Sequence, residues 1–332
     1  MSHRAVVCSS VIGLVLTASL TGVAVAATAP LVVEAKISLG EVRGRIDHLA
    51  IDLERRRLYV AELGNDSIGV VDLAQRKTLR TLGGFSEPQG IGYEPATDAL
   101  YVANGGDGAV KILRASDLAS LGTIKLGDDA DNVRIDADAH RVWVGYGNGA
   151  LAAIDPISRK QVGNIPLAAH PESFRLVARG PWMFVNVPDA AEIALVDRTH
   201  GRQVATWKTG RLQANFPMSL DDADRLLVVF RSPPELAIYR SADGTLLQSL
   251  RTCSDADDVF FDAPRRRVYV SCGQGYVEVF EREGTAYRFA FRLKTQTGAR
   301  TSLFVPQLDR LFLAVRATSS TPAAIWVIRP AS

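Results

Sequence analysis

The sequence predicts an all-β chain folded as a seven-bladed propeller, and two observations carry that expectation. A tract reading roughly R-L-Y-V recurs as Arg57–Val60, Ala99–Val102, Arg141–Val144, Trp182–Val185, Arg225–Val228, Arg267–Val270 and Arg310–Leu313. With the third residue of each taken as a mark, successive copies lie 42, 42, 41, 43, 42 and 43 residues apart, the spacing of propeller blades. Around each copy, short apolar runs of period two are bounded by Gly, Asn and Asp, as half-buried antiparallel strands require. A chain of 332 residues with 47% apolar content has the material for one large closed core.

Residues 1–26 read differently. Arg4 supplies a positive end, Val11–Leu20 an apolar stretch and Ala24-Val25-Ala26 a small-x-small cleavage signal, which together describe a secretory signal peptide. The apolar run is too short and too interrupted by Ser and Thr for a membrane anchor. Cys8 precedes that run and follows the bulky Val7, so it does not read as a lipoprotein cysteine. The mature chain, 27–332, is expected to be one propeller domain without a membrane span, monomeric, and periplasmic or secreted. Losing Arg4 takes the formal charge from +2 to +1, a balance with no general attraction for nucleic acid or anionic membrane.

The first mature segment, Leu31–Leu39, alternates as a strand and is assigned to the last blade. Blade one follows, with strands at Leu49–Ile51, Leu58–Val60, Ile68–Val71 and Thr78–Leu82 and turns at Asp52–Arg56 and Gly64–Asp66. Third strands recur at Val110–Leu113, Leu151–Ile154, Ile193–Val196, Leu236–Tyr239 and Val277–Phe280. The residue two past the mark is small in most blades (Ala61, Ala103, Gly145, Ser271, Ala314), as crowding near the axis demands. Blade six carries Cys253 before its first strand and Cys272 at the end of its second, so these are either a disulfide or two buried thiols. Blade seven has only three strands, ending at Ile325–Ile328. Leu31–Leu39 supplies the fourth and closes the ring without an exposed edge.

The tetrapeptide Tyr101-Val102-Ala103-Asn104, with variants Tyr59–Glu62 and Tyr269–Cys272, resembles the YVTN or YncE-like bacterial propellers over about residues 31–329. The resemblance implies the fold and export. It implies no catalytic apparatus, because the shared motif is a structural strand.

Loops entering the innermost strands share one face with the loops between second and third strands. Twelve residues before each mark, at that opening, stand Asp47, Gln89, Asp131, Glu172, Asn215, Asp257 and Arg300, all polar. The neighbouring His48, Asn132 and Asp258 extend this expected ligand-binding set, and Asp129, His170 and Asp255 lie two residues before the ring. Crowded carboxylates raise one another's proton affinity or recruit a cation. Asp131, Glu172 and Asp257 are the expected metal ligands, and calcium or magnesium the expected ions, since both prefer oxygen donors. The alternative is a water-filled polar mouth with no ion. Arg300, the ring's one cation, either balances this charge or holds a substrate carboxylate.

His48 and His170 are the candidate general bases. Neighbours along a strand point apart, so His48 and Asp47 are not expected to face each other, whereas His170 and Glu172 can. No G-x-S-x-G, H-E-x-x-H or phosphate loop is present. The sequence therefore points to a binding or scaffold propeller whose acidic mouth takes a small ligand or a protein partner, and argues against nucleic acid. The alternative is a divalent-metal-assisted lactonase or lyase.

Overall fold

The computed structural model describes residues 1–3, 5–7 and 29–331, so the apolar stretch and cleavage signal read within 1–26 lie outside the described residues. Seven four-stranded antiparallel sheets are present. The innermost strands of blades one to seven are Leu49–Asp52, Pro88–Glu94, Ala130–Asp136, Phe174–Leu176, Gln213–Leu220, Ala256–Asp262 and Ser302–Val305. No helix among the described residues is long and apolar enough to cross a membrane.

The recurring tract is the second strand of each blade, and its burial explains why it is the readable signal. Ala99–Asn104 is buried at every position. Leu100 and Val102 pack with Tyr59 and Ala61 of blade one, while Tyr101 and Ala103 pack with Val133, Val142 and Val144 of blade three. A strand covered on both faces loses the polar half of its alternation. Crowding behind the tract is direct: a Cβ on Gly145 would stand 3.0 Å from Pro171 Cγ. The asparagine of the Y-V-A-N tract is structural, since Asn104 Nδ2 donates to the Ala109 carbonyl at 2.8 Å across its own turn.

Ring closure is as expected. Leu31–Gly40 pairs antiparallel with Ala323–Pro330, in a register placing Leu31 opposite Pro330 and Ile37 opposite Ile325, as the outermost strand of blade seven. Leu31, Ile37 and Leu39 are fully buried. Glu34 on this strand accepts from Arg310 at 2.6 Å within its blade and from Arg76 of blade one at 2.7 Å. On the face away from the opening, arginines join neighbouring blades. Arg55 bridges Asp52 and Asp98, Arg265 bridges Asp262 and Asp309, and Arg198 reaches Asp136. In blade six Cys253 and Cys272 are joined as a disulfide, with Cα atoms 5.9 Å apart.

Candidate functional site

In four blades the opening loop is tied by a backbone hydrogen bond to the hairpin beside it. Gly64 N–H donates to Arg45 O, Gly105 to Glu87 O, Gly147 to Asp129 O and Gly273 to Asp255 O, at 2.7 to 3.1 Å. Glycine recurs four residues past the mark because side chains press against it: a Cβ on Gly105 would lie 2.0 Å from Gln89 Nε2, and one on Gly273 1.9 Å from Asp255 Oδ2. The φ angles of Gly105 and Gly273 are ordinary, so these two serve close approach, whereas Gly147, at φ +61°, sits in the left-handed region.

Six of the seven ring residues, with some of their neighbours, fall into three groups, and Gln89 stands apart. Asp47, Asp131, His170 and Glu172 form an acidic half around blades one, three and four. Asp47 is buried, and Arg45 Nη2 donates to its Oδ2 at 2.8 Å. Burial holds the Asp47 carboxyl above its ordinary range against the pull of His48 and Arg45. Burial, reinforced by Glu172, pushes Asp131 up to about 7. Burial, reinforced by Asp257 and Asp47, pushes Glu172 up to about 8. Among the described residues, Asp131 Oδ1 has no hydrogen-bond partner, and its Oδ2 meets only Asn132 Nδ2 at 3.3 Å. His170 sits where sequence reasoning put it, beside Glu172, with Nδ1 2.7 Å from the Gly147 carbonyl.

The second group is ion-paired. Asp257 lies between Arg231, whose Nη2 donates at 2.5 Å, and Arg300, whose Nε lies 2.9 Å away. Arg300 Nη1 also donates to Asp255 at 2.6 Å. Burial works against the Arg300 charge, but Asp257 and Asp255 outweigh it and raise its pKa. Of its two expected roles, Arg300 fills charge balance here. Asp257 is occupied by guanidinium groups and does not join Asp131 and Glu172. Arg231, further held over the Phe216 ring at 3.5 Å, is a site residue that sequence reasoning missed. It stands four residues past its mark, where blades two, three and six have glycine, and that contrast was the available signal.

The third group turns into the protein. Asn215 is wholly buried, its Nδ2 donating to Asn186 Oδ1 and to Glu192 O at 2.9 Å, so it clamps blades four and five rather than facing a ligand. Asn132 and Asp258 are also buried. Asn132 Oδ1 accepts from Arg134 at 2.9 Å, and Asp258 accepts from the Ser302 N–H of the next blade at 2.7 Å. Burial raises Asp258 well above the carboxylate range. Gln89 remains at the opening, donating to Asp129 at 2.9 Å. His48 is half-buried there, its backbone joined to Gln89 O at 3.3 Å.

Nine residues before their marks, Arg134 and Arg175 occupy innermost strands. Burial lowers Arg134 to about 10 and also lowers Arg175, and among the described residues neither has a carboxylate salt-bridge partner. Their guanidinium groups lie 5.5 Å from the Phe174 ring and 5.9 Å from the Phe260 ring. A groove of about 1160 Å³ opens between blades three and four on the opposite face, beside Trp143 and Leu176. Much of its charged rim is already paired, Arg198 with Asp136, His200 with Asp197 and Arg141 with Asp155. The mouth, with carboxylate oxygens left unpaired, is the stronger candidate.

No family model matches the chain, and no curated protein matches it. Among solved structures the chain is similar to one of the Kuenenia stuttgartiensis hydrazine synthase, with 15% identity, a TM-score of 0.73, and coverage of 95% of this chain and 99% of that one. It is also similar to a chain in the crystal structure of a mitotic checkpoint complex, with 13% identity, a TM-score of 0.77, and coverage of 97% and 99%. The fold is a seven-bladed propeller. At such identity the likeness shows the fold alone.

Proposed function

We propose that this protein is an exported propeller of the YVTN or YncE-like kind that acts as a binding module. Its mouth receives a positively charged group, carried by a small amine ligand or by a basic loop of a partner protein. One observation carries the reading: Asp47, Asp131 and Glu172 converge on one opening of a rigid ring, and burial raises all three above the ordinary carboxylate range. A guest cation would supply the charge partner that Asp131 and Glu172 lack, Asp47 being already paired with Arg45. Arg231 and Arg300 do not compete, because they are committed to Asp255 and Asp257, and Arg45 engages Asp47 alone. Export is supported by the leader pattern at residues 1–26 and by a disulfide that suits an oxidising compartment.

The test is a titration of mature protein with spermidine and with a Lys-rich peptide, set against acetate and succinate. The cations should bind, and Asp47→Asn combined with Glu172→Gln should abolish binding without lowering the melting temperature. Equal response to anions, or a double variant that binds as well as the parent, would overturn the proposal. N-terminal sequencing of the secreted protein should begin at Ala27. Metal-assisted lactone hydrolysis or lyase chemistry is a second reading, favoured by the juxtaposition of His170 with Asp131 and Glu172, and would need a bound ion at those residues.

A further inference from the structure

A nitrogen of His170 and one carboxylate oxygen each of Asp131 and Glu172 lie within 4.8 Å of one another. Asp131 comes from the innermost strand of blade three, and His170 and Glu172 from the loop that enters blade four. Two further observations separate this group from an ordinary patch of surface acids. Asp131 is 6% exposed, yet among the described residues its Oδ1 has no hydrogen-bond partner, so a buried oxygen stands ready for a partner. His170 is also pre-oriented. Its Nδ1 lies 2.7 Å from the Gly147 carbonyl and 3.7 Å from Asp129 Oδ2, which places the proton on Nδ1 and the lone pair on Nε2. A carbonyl or carboxylate behind the far ring nitrogen is the usual outer support of a metal-bound imidazole. The loop is fixed by close backbone packing, since a Cβ on Gly149 would come within 2.7 Å of Leu167 O and 2.9 Å of Ala169 O.

We propose that Asp131, His170 and Glu172 form a binding site for a zinc-class divalent cation that bridges blades three and four and keeps a coordination position open to the mouth. The donor set chooses the ion. Two carboxylates supply the charge to neutralise a dication, and one imidazole nitrogen favours zinc over calcium or magnesium, which want six or more oxygens. Tetrahedral coordination at zinc distances sets ligand atoms about 3.3 Å apart, so small side-chain rotations close the group. The proposal rests on the mouth being the functional site. It replaces the oxygen-only site expected from Asp131, Glu172 and Asp257, because Asp257 is committed to Arg231 and Arg300.

The experiment is competition between chelator-stripped mature protein and a chromophoric zinc dye, with calcium and magnesium chloride as rivals. The expected result is one zinc per chain, undisturbed by excess calcium. Asp131→Asn with Glu172→Gln should weaken zinc by roughly 100-fold or more and His170→Ala by roughly 10-fold or more. Asp189→Asn, an exposed acid on the same face, should leave binding unchanged. X-ray absorption of the zinc form should show a mixed nitrogen and oxygen shell with a single imidazole. Circular dichroism melts identify any variant that fails to fold, and for such a variant the absorption spectrum of the parent decides. Absence of zinc retention, a shell without imidazole, or folded triad variants that bind as the parent does would each overturn the site. Spermidine titration of the same metal-free protein separates the two proposals. Loss of zinc binding alone removes the ion, whereas loss of both removes the mouth.

Discussion

Replacing Glu62 with Gln should stabilise the protein at alkaline pH and leave it nearly unchanged in mild acid. Glu62 ends the second strand of blade one and is wholly buried. Its Oε2 accepts from the Ser67 hydroxyl at 2.5 Å, while Oε1 has no partner. Room for it is made by Gly69 on the adjacent strand, where a Cβ would stand 2.4 Å from Oε1. Burial raises the carboxyl from 4.5 to about 7, with Ser67 opposing. The sign follows from proton linkage. Below pH 4.5 folded and unfolded chains both hold the proton and the group is neutral to stability. Between 4.5 and about 7 only the folded chain holds it, so stability falls as pH rises, and above about 7 the whole penalty is present. At about 1.36 kcal/mol per pH unit, that interval amounts to roughly 3 kcal/mol. Gln keeps the shape and carries no charge. At about 2 °C per kcal/mol for a chain this long, the variant should melt roughly 6 °C higher than the parent at about pH 8.5. Near about pH 5 most of that advantage should vanish. Thermal melts by circular dichroism at fixed ionic strength give the difference directly, and the carboxyls at the mouth titrate alike in both proteins and cancel. An equal gap at the two pH values, or a variant that melts lower at alkaline pH, would refute the reasoning.

Three other outcomes are expected. Deleting residues 27–39 removes the outermost strand of blade seven, with buried Leu31, Ile37 and Leu39, and should leave no cooperative unfolding transition; a truncated chain that melts like the parent would contradict closure. Replacing Cys253 and Cys272 by Ala removes a link between residues 19 apart and should cost about 3 kcal/mol in a urea titration, with an unchanged midpoint as the opposing result. Asp257→Ala leaves Arg231 and Arg300, both about four-fifths buried, sharing Asp255 as their remaining carboxylate. It should cost about 3 kcal/mol, and a loss below about 0.5 kcal/mol would show the pair to be solvated.

The blades were legible because burial on both faces turns each second strand into the same short apolar run, and that run survives every other change in the repeat. The N-terminal strand was legible for a related reason: blade seven lacked a fourth strand, and Leu31–Leu39 was the unassigned alternating segment. Position along each blade was readable at the mouth, but the direction of each side chain was not. Asn215 and Asp257 hold equivalent places in the repeat, yet one turns inward to Asn186 and the other lies between Arg231 and Arg300. What separates them is which blade lies next door and what it presents, a relation between residues about thirty apart that no local pattern records. His170 and Asp131 are likewise brought together by the packing of two blades. Arg134 and Arg175 occupied a repeated register too, but the alternation of a strand does not reveal which of its faces lines the axis.

Pairing the first described strand with the last has a consequence in time. Glu34 meets Arg310 across 276 residues of chain, so no blade order can complete the ring before the final strand exists. A partly synthesised chain that has stacked blades one to six keeps an open edge on each side and lacks the cooperativity of closure. For a chain that emerges N-terminus first from the ribosome, this fixes the order of events. The segment that arrives earliest waits, unable to lock the structure, until the segment that leaves last comes through to meet it.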